Sequence, residues 1–118
     1  MAEQVVFASQ ARTATPTAAQ LATRRYKTLT LVIDITAVTS TPSTTFNINR
    51  VDSTSGKKVL ILASAAQAAV ATITMRVGVG LPVTANVSAN EALPSTVEVT
   101  AVHGNANSMT YSVSAHWA

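Results

Sequence analysis

Hydrophobic and polar residues alternate along most of this chain, and the alternation has a period of two. From Thr28 to Thr36, Leu29, Leu31, Ile33 and Ile35 interleave with Thr28, Thr30, Val32, Asp34 and Thr36. Successive strand side chains point to opposite faces, so this pattern predicts a half-buried strand. Thr41-Pro42-Ser43 breaks it. Phe46 and Ile48, set between Thr45, Asn47 and Asn49, predict a second strand. Asp52–Lys57 predicts a turn in which Gly56 takes positive φ, and Val59–Leu62 returns from it as a hairpin partner.

Further along, Ile73, Met75, Val77 and Val79 alternate with Thr72, Thr74 and Arg76, and Gly78 and Gly80 close that strand. Val97, Val99 and Ala101 alternate with Thr96, Glu98 and Thr100. Met109, Tyr111, Val113 and Ala115 alternate with Thr110, Ser112, Ser114 and His116. Ala63–Ala71 predicts a loop with one helical turn, and nothing predicts a long helix. Regularly spaced short strands with Pro, Gly and Asn turns predict an all-β fold, an antiparallel β-sandwich of about 7–8 strands, Ig-like or jelly-roll-like. The expected core is Leu29, Leu31, Ile33, Ile35, Phe46, Ile48, Ile73, Met75, Val77, Val97, Val99, Tyr111 and Val113.

The N-terminal segment reads differently. Ser9–Arg25 is rich in Ala and Thr, is broken by Pro16, and has few large apolar side chains to offset its ordering entropy. Thr17 and Gln20 have the spacing of a capping box for one helical turn. Val5-Val6-Phe7 is a short apolar patch just before this stretch. The expected organisation is therefore an extended N-terminal arm, residues 1–25, followed by a sandwich domain, residues 26–118. A chain of 118 residues otherwise fits a single domain. Met1-Ala2-Glu3-Gln4 has no basic region leading into an apolar stretch, so no secretory signal is expected. The apolar run Val59–Gly80 is interrupted by polar residues and is not expected to span a membrane.

Charge sharpens the division. The formal net charge is +3, from 8 basic and 5 acidic residues. Arg12, Arg24, Arg25 and Lys27 against Glu3 account for all of the excess, and the remainder is neutral. A basic arm on a neutral body can meet phosphate or an acidic protein surface. With cations this dispersed and only Tyr26 among them, nucleic acid is not an expected partner.

Candidate chemistry is sparse. There is no cysteine, which excludes disulfides and thiolate metal sites. Only His103 and His116 offer a base for nucleophilic catalysis, and neither lies in a nucleophile motif. Asp34, Asp52, Glu91 and Glu98 are the carboxylates available for paired acid–base work, with Asp34 and Glu98 on polar strand faces that could meet. Solvated surface charge explains them more simply. The Asp52 turn lacks the repeated carboxylates of a calcium loop, and Gly78-Val79-Gly80 opens no helix that would hold phosphate. No catalytic, cofactor or metal residue is expected, and no small-molecule substrate. The expected interface residues are Val5, Val6, Phe7, Arg12, Arg24 and Arg25. The outward strand positions carry threonine in place of the usual Lys/Glu coat: only 11% of the chain is charged, whereas soluble surfaces carry about 25–35%. Surfaces so poor in charge suit burial against other subunits.

The order of these elements resembles that of small tailed-bacteriophage virion structural proteins. The resemblance rests on Val5–Ser9, Asp34-Ile35-Thr36-Ala37-Val38-Thr39, Thr41–Ile48 (TPSTTFNI) and the Asp52–Lys57 turn. It continues through Leu93-Pro94, Val97–Gly104 (VEVTAVHG) and Ser108–Val113 (SMTYSV). It implies a head-module structural component, a capsid decoration or cement protein placed on the capsid surface of a virion assembled in the host cytoplasm. The implied partners are the major capsid protein or other virion subunits, and further copies of the chain in a homo-oligomer. A tail, neck or receptor-reading module is the alternative within the particle. A lectin or carbohydrate-active enzyme is the alternative outside it, disfavoured by the lack of an aromatic cluster beside carboxylates.

Overall fold

The computed structural model describes residues 2–118, which form nine strands and no helix. They are β1 (Ala2–Arg12), β2 (Ala19–Ala22), β3 (Thr28–Val38), β4 (Thr44–Val51) and β5 (Lys58–Ala63). After these come β6 (Ala71–Gly78), β7 (Ser88–Ala89), β8 (Thr96–His103) and β9 (Met109–Trp117). One sheet has the order β1-β9-β3-β6-β7 and the other β2-β8-β4-β5. The all-β sandwich expected from the alternation is what the chain forms.

The pairing is nested. β4 pairs with β5, β3 with β6, β2 with β8 and β1 with β9, all antiparallel. The chain is thus one long hairpin with its tip at Asp52–Lys57, rolled so that successive pairs fall in alternate sheets. That is the jelly-roll solution. An Ig-like sandwich would keep the last two strands together in one sheet; here β8 and β9 lie in opposite sheets. The tip itself follows from local chemistry: Gly56 has φ 75°, and Asp52 accepts from the Thr54 N–H and the Ser55 hydroxyl.

Between the sheets lie Leu29, Leu31, Ile33 and Ile35 from β3, Phe46 and Ile48 from β4, Met75 and Val77 from β6, and inward residues of β8 and β9. Tyr111 meets Phe46 edge-on, with ring centroids 5.2 Å apart. Of the expected core, only Ile73 is half-buried. β7 covers β6 only at Arg76 and Val77, leaving the sheet edge open beside Ile73. Ala63–Ala71 contains no helical turn; Ser64 accepts from the Phe46 N–H instead and Gln67 bridges to Thr44.

Met1 lies outside the described residues, and the rest of the arm expected over residues 1–25 is not a separate element. β1 is hydrogen-bonded along β9 and buries Phe7, while β2 pairs with β8 and buries Leu21. No helical turn forms at Thr17–Gln20; Ala19–Ala22 is strand. An outer strand of a jelly roll rests on partners that bring their own core, so one large apolar side chain per strand is enough to dock it. β1 crosses the sheet with two register shifts, between Val5 and Phe7 and between Phe7 and Gln10. These bulges erase the period-two signal that would have marked it.

Candidate functional site

The rolled hairpin gives the sandwich two ends of opposite character. At one end lie the connections β1–β2 (residues 13–18), β3–β4 (39–43), β5–β6 (64–70) and β8–β9 (104–108). Not one residue in these four connections is charged; they are Thr, Ser, Ala, Asn, Pro, Gln, Val and Gly. Hydrogen bonds tie them to the strands and to each other. Asn105 and Asn107 both donate to the Thr41 carbonyl at 3.0 Å, and Gly104 N–H donates to Ser43. Thr15 accepts from the His103 N–H at 2.9 Å.

At the other end lie the β2–β3 and β4–β5 connections and the two ends of the β6–β8 connection, whose middle runs back along β6 until Asn86 donates to the Ala63 carbonyl, together with the start of β1 and the end of β9. Every lysine and arginine except Arg12 lies in this half, scattered through the sequence but gathered by the strand directions. Glu3, Asp52, Glu91 and Glu98 share the half. Arg50 pairs with Glu91, and Lys58 approaches Glu98 at 3.9 Å. Among the described residues, Arg24, Arg25 and Lys27 pair with no carboxylate.

The expected interface residues separate accordingly. Phe7 is in the core and Val6 packs partly against it, so neither is an anchor for a neighbour in this fold. Val5 is 68% exposed on the outer face opposite Ser114. Arg24 and Arg25 form the corner of a turn closed by Tyr26 N–H to the Thr23 carbonyl, and Arg24 holds φ 51°. Arg12 lies at the opposite end, its guanidinium 4.6 Å from the Tyr111 ring centroid and donating to the Tyr111 and Ala8 carbonyls. It is a clamp on β1 rather than a free cation.

Beside that clamp, His103 Nε2 lies 2.9 Å from the Tyr111 hydroxyl, and His103 Nδ1 is buried without a partner. Burial, and secondarily the Arg12 charge, hold His103 below the ordinary imidazole value. Burial pushes the Tyr111 phenol up to about 12 against a smaller opposing pull from Arg12. Both effects keep the pair neutral inside the fold.

Asp34 and Glu98, which the sequence allowed to meet, take outward positions on opposite sheets; Asp34 is half-buried, but Glu98 is buried and is not the solvated charge expected of it. Asp34 accepts from the Thr72 hydroxyl at 3.0 Å and Glu98 from Asn49 at 3.3 Å. Ser114 Oγ lies 3.1 Å from His116 Nε2, a contact that i, i+2 spacing on one strand face produces; it sits on the open outer face. No group of three or more His, Cys, Asp or Glu could hold a metal ion among the described residues.

A recess of about 310 Å³ lies beside the β5–β6 connection, lined by Ser64, Gln67, Ile73 and Asn86 among others, and two more lie at the charged end. Tyr26, stacked on Trp117 with centroids 5.9 Å apart, forms a wall between two recesses. One, of about 270 Å³, is lined by Gln4, Ala22, Arg24 and Trp117 among others. The second, of about 550 Å³, is lined by Lys27, Val79, Ala92 and Leu93. The sequence showed no sign of either, because their walls come from β1, the β2–β3 turn, the β6–β8 connection and β9. No family model, curated protein or solved structure matches the chain.

Proposed function

We propose that this protein is a structural subunit of a bacteriophage particle, a capsid decoration or cement protein that docks on the shell and on copies of itself. One observation carries the reading: four connections distant in sequence form one end of the sandwich and bear no charge among them, and the one cation beside them, Arg12, is tied back onto Tyr111 and Ala8. Charge is depleted from the centres of protein interfaces because a buried ion must be desolvated. On the outer strand faces Thr45, Thr74, Thr100 and Thr110 add further uncharged positions, all half-buried or exposed. The jelly roll itself is an architecture of capsid and lectin domains and supports the reading only by analogy. The resemblance of the motif order to that of small virion proteins is its other support.

Docking then runs through the charge-free end rather than through a detached N-terminal arm. Repeated weak contacts on a lattice of sites supply avidity. The test is mass spectrometry and cryo-electron microscopy of purified particles. Hundreds of copies on the shell, seated by residues 39–43 and 104–108, is the expected result. A few copies at a neck or fibre would replace it with the tail-module reading, and absence from particles would end both.

A further inference from the structure

The double recess at the charged end has a chemistry of its own. Its second chamber is lined by Val79, Ala92 and Leu93, and Val79 is 73% exposed. Each chamber carries one cation at its rim, Arg24 on one side of Tyr26 and Lys27 on the other, with Arg25 adjacent in the same turn. Among the described residues, Glu3, in the first chamber, is the one carboxylate side chain lining either. Arg24 is also held in the left-handed region, where a residue with a Cβ is disfavoured and Gly or Asn is the usual occupant. Thr23 anchors the turn to the far side of the recess, donating through N–H to the Ser95 carbonyl and through its hydroxyl to that of Pro94. The backbone that carries both cations is thereby held beside the recess, with the exposed Lys27 side chain on the chamber that has the aliphatic floor.

We propose that this double recess binds an acidic peptide segment of a partner protein. An aliphatic side chain of the segment seats against Val79, Ala92 and Leu93, and carboxylates on either side of it pair with Lys27 and Arg24. Charge complementarity and the aliphatic lining select this occupant together. Phosphodiesters would satisfy the cations but leave the aliphatic floor uncovered. Only the identity of the partner as another virion subunit rests on the functional reading above; the site is argued from its own residues.

The experiment is an amide chemical-shift titration of the full chain, which detects binding even when it is weak. The probe is a hexapeptide of alternating Asp and Leu. Controls are the Asp/Ser and Lys/Leu hexapeptides and an oligothymidylate. Saturable shifts confined to residues 23–27, 79 and 92–93 are expected with the Asp/Leu peptide alone. Affinity should fall about threefold between about 50 and about 300 mM salt. Arg24→Asn combined with Lys27→Gln should weaken binding about tenfold. The melting temperature should not fall, since asparagine tolerates the Arg24 backbone. Val79→Ser, at an exposed position, should weaken binding with the fold intact. Absence of shifts, equal shifts with the Lys/Leu peptide, or tighter binding of the oligothymidylate would each overturn the proposal. The particle reading would stand or fall separately, on mass spectrometry of virions.

Discussion

The two ends of the sandwich are built by the same strands yet obey different rules. Residues 39–43 and 104–108 hold their shape with amide and backbone hydrogen bonds and no ions. The opposite end uses ion pairs, a strained arginine turn and an aromatic stack. A neutral end can be desolvated at little cost against a partner, whereas a charged one gives up hydration that only complementary charge restores. The difference teaches that polarity in this molecule runs along the strands, end to end, rather than between an arm and a body.

The largest expected effect tests whether both ends belong to one cooperative unit. β1 runs from the charged end to the neutral one, with Phe7 buried between them. Deleting residues 2–12 should abolish the cooperative melting transition, because β9 loses its partner and the core is opened. A truncated chain that melts as sharply as the full one would restore the detached arm. Phe7→Ala should cost about 3–5 kcal/mol in denaturant unfolding. Val5→Ala should be near neutral, and a comparable loss at both positions would contradict the buried placement of Phe7.

Next in size is a pH effect confined to the neutral end. The folded chain holds His103 below its ordinary value of 6.5, so the unfolded chain binds the proton more readily. The contribution is complete above pH 6.5 and is lost as pH falls through the lower folded value. Tyr111 has the opposite sign: its contribution is complete below pH 10 and is lost as pH rises towards 12. Stability should therefore decline on both sides, and His103→Gln should flatten only the acid limb. Hydrogen exchange should report the acid opening first at residues 13–18 and 103–108; opening first at residues 23–27 would refute the assignment.

The smallest effects on stability sharpen the contrast most. Thr41→Lys with Ala106→Lys should change unfolding free energy by no more than about 0.5 kcal/mol, as for other surface changes. The same pair should abolish attachment to particles, measured by co-sedimentation. Attachment that survives both lysines would move the interface away from this end. Arg24→Asn should stabilise the fold by about 0.5–1 kcal/mol through relief of left-handed strain. A lower melting temperature would mean that the arginine supports the turn instead.

What the sequence determined on its own was whatever local periodicity encodes. The alternation of Leu29–Ile35, Phe46–Ile48, Val97–Ala101 and Tyr111–Ala115 specified strands, their inward faces and a sandwich, and Gly56 in Asp52–Lys57 specified the hairpin tip. Period two is a property of one strand against its neighbours, so it survives without knowledge of the partner. Tertiary structure decided everything that depends on which strands meet. β1 and β2 carry one deeply buried apolar residue each, bulges mask the pattern of β1, and their place is set by β9 and β8, which lie about a whole chain away. Arg24, Lys57 and Arg76 are neighbours in no sequence window. They share an end only because the antiparallel roll returns every second connection to the same side, and the Tyr26 recess exists for that reason alone.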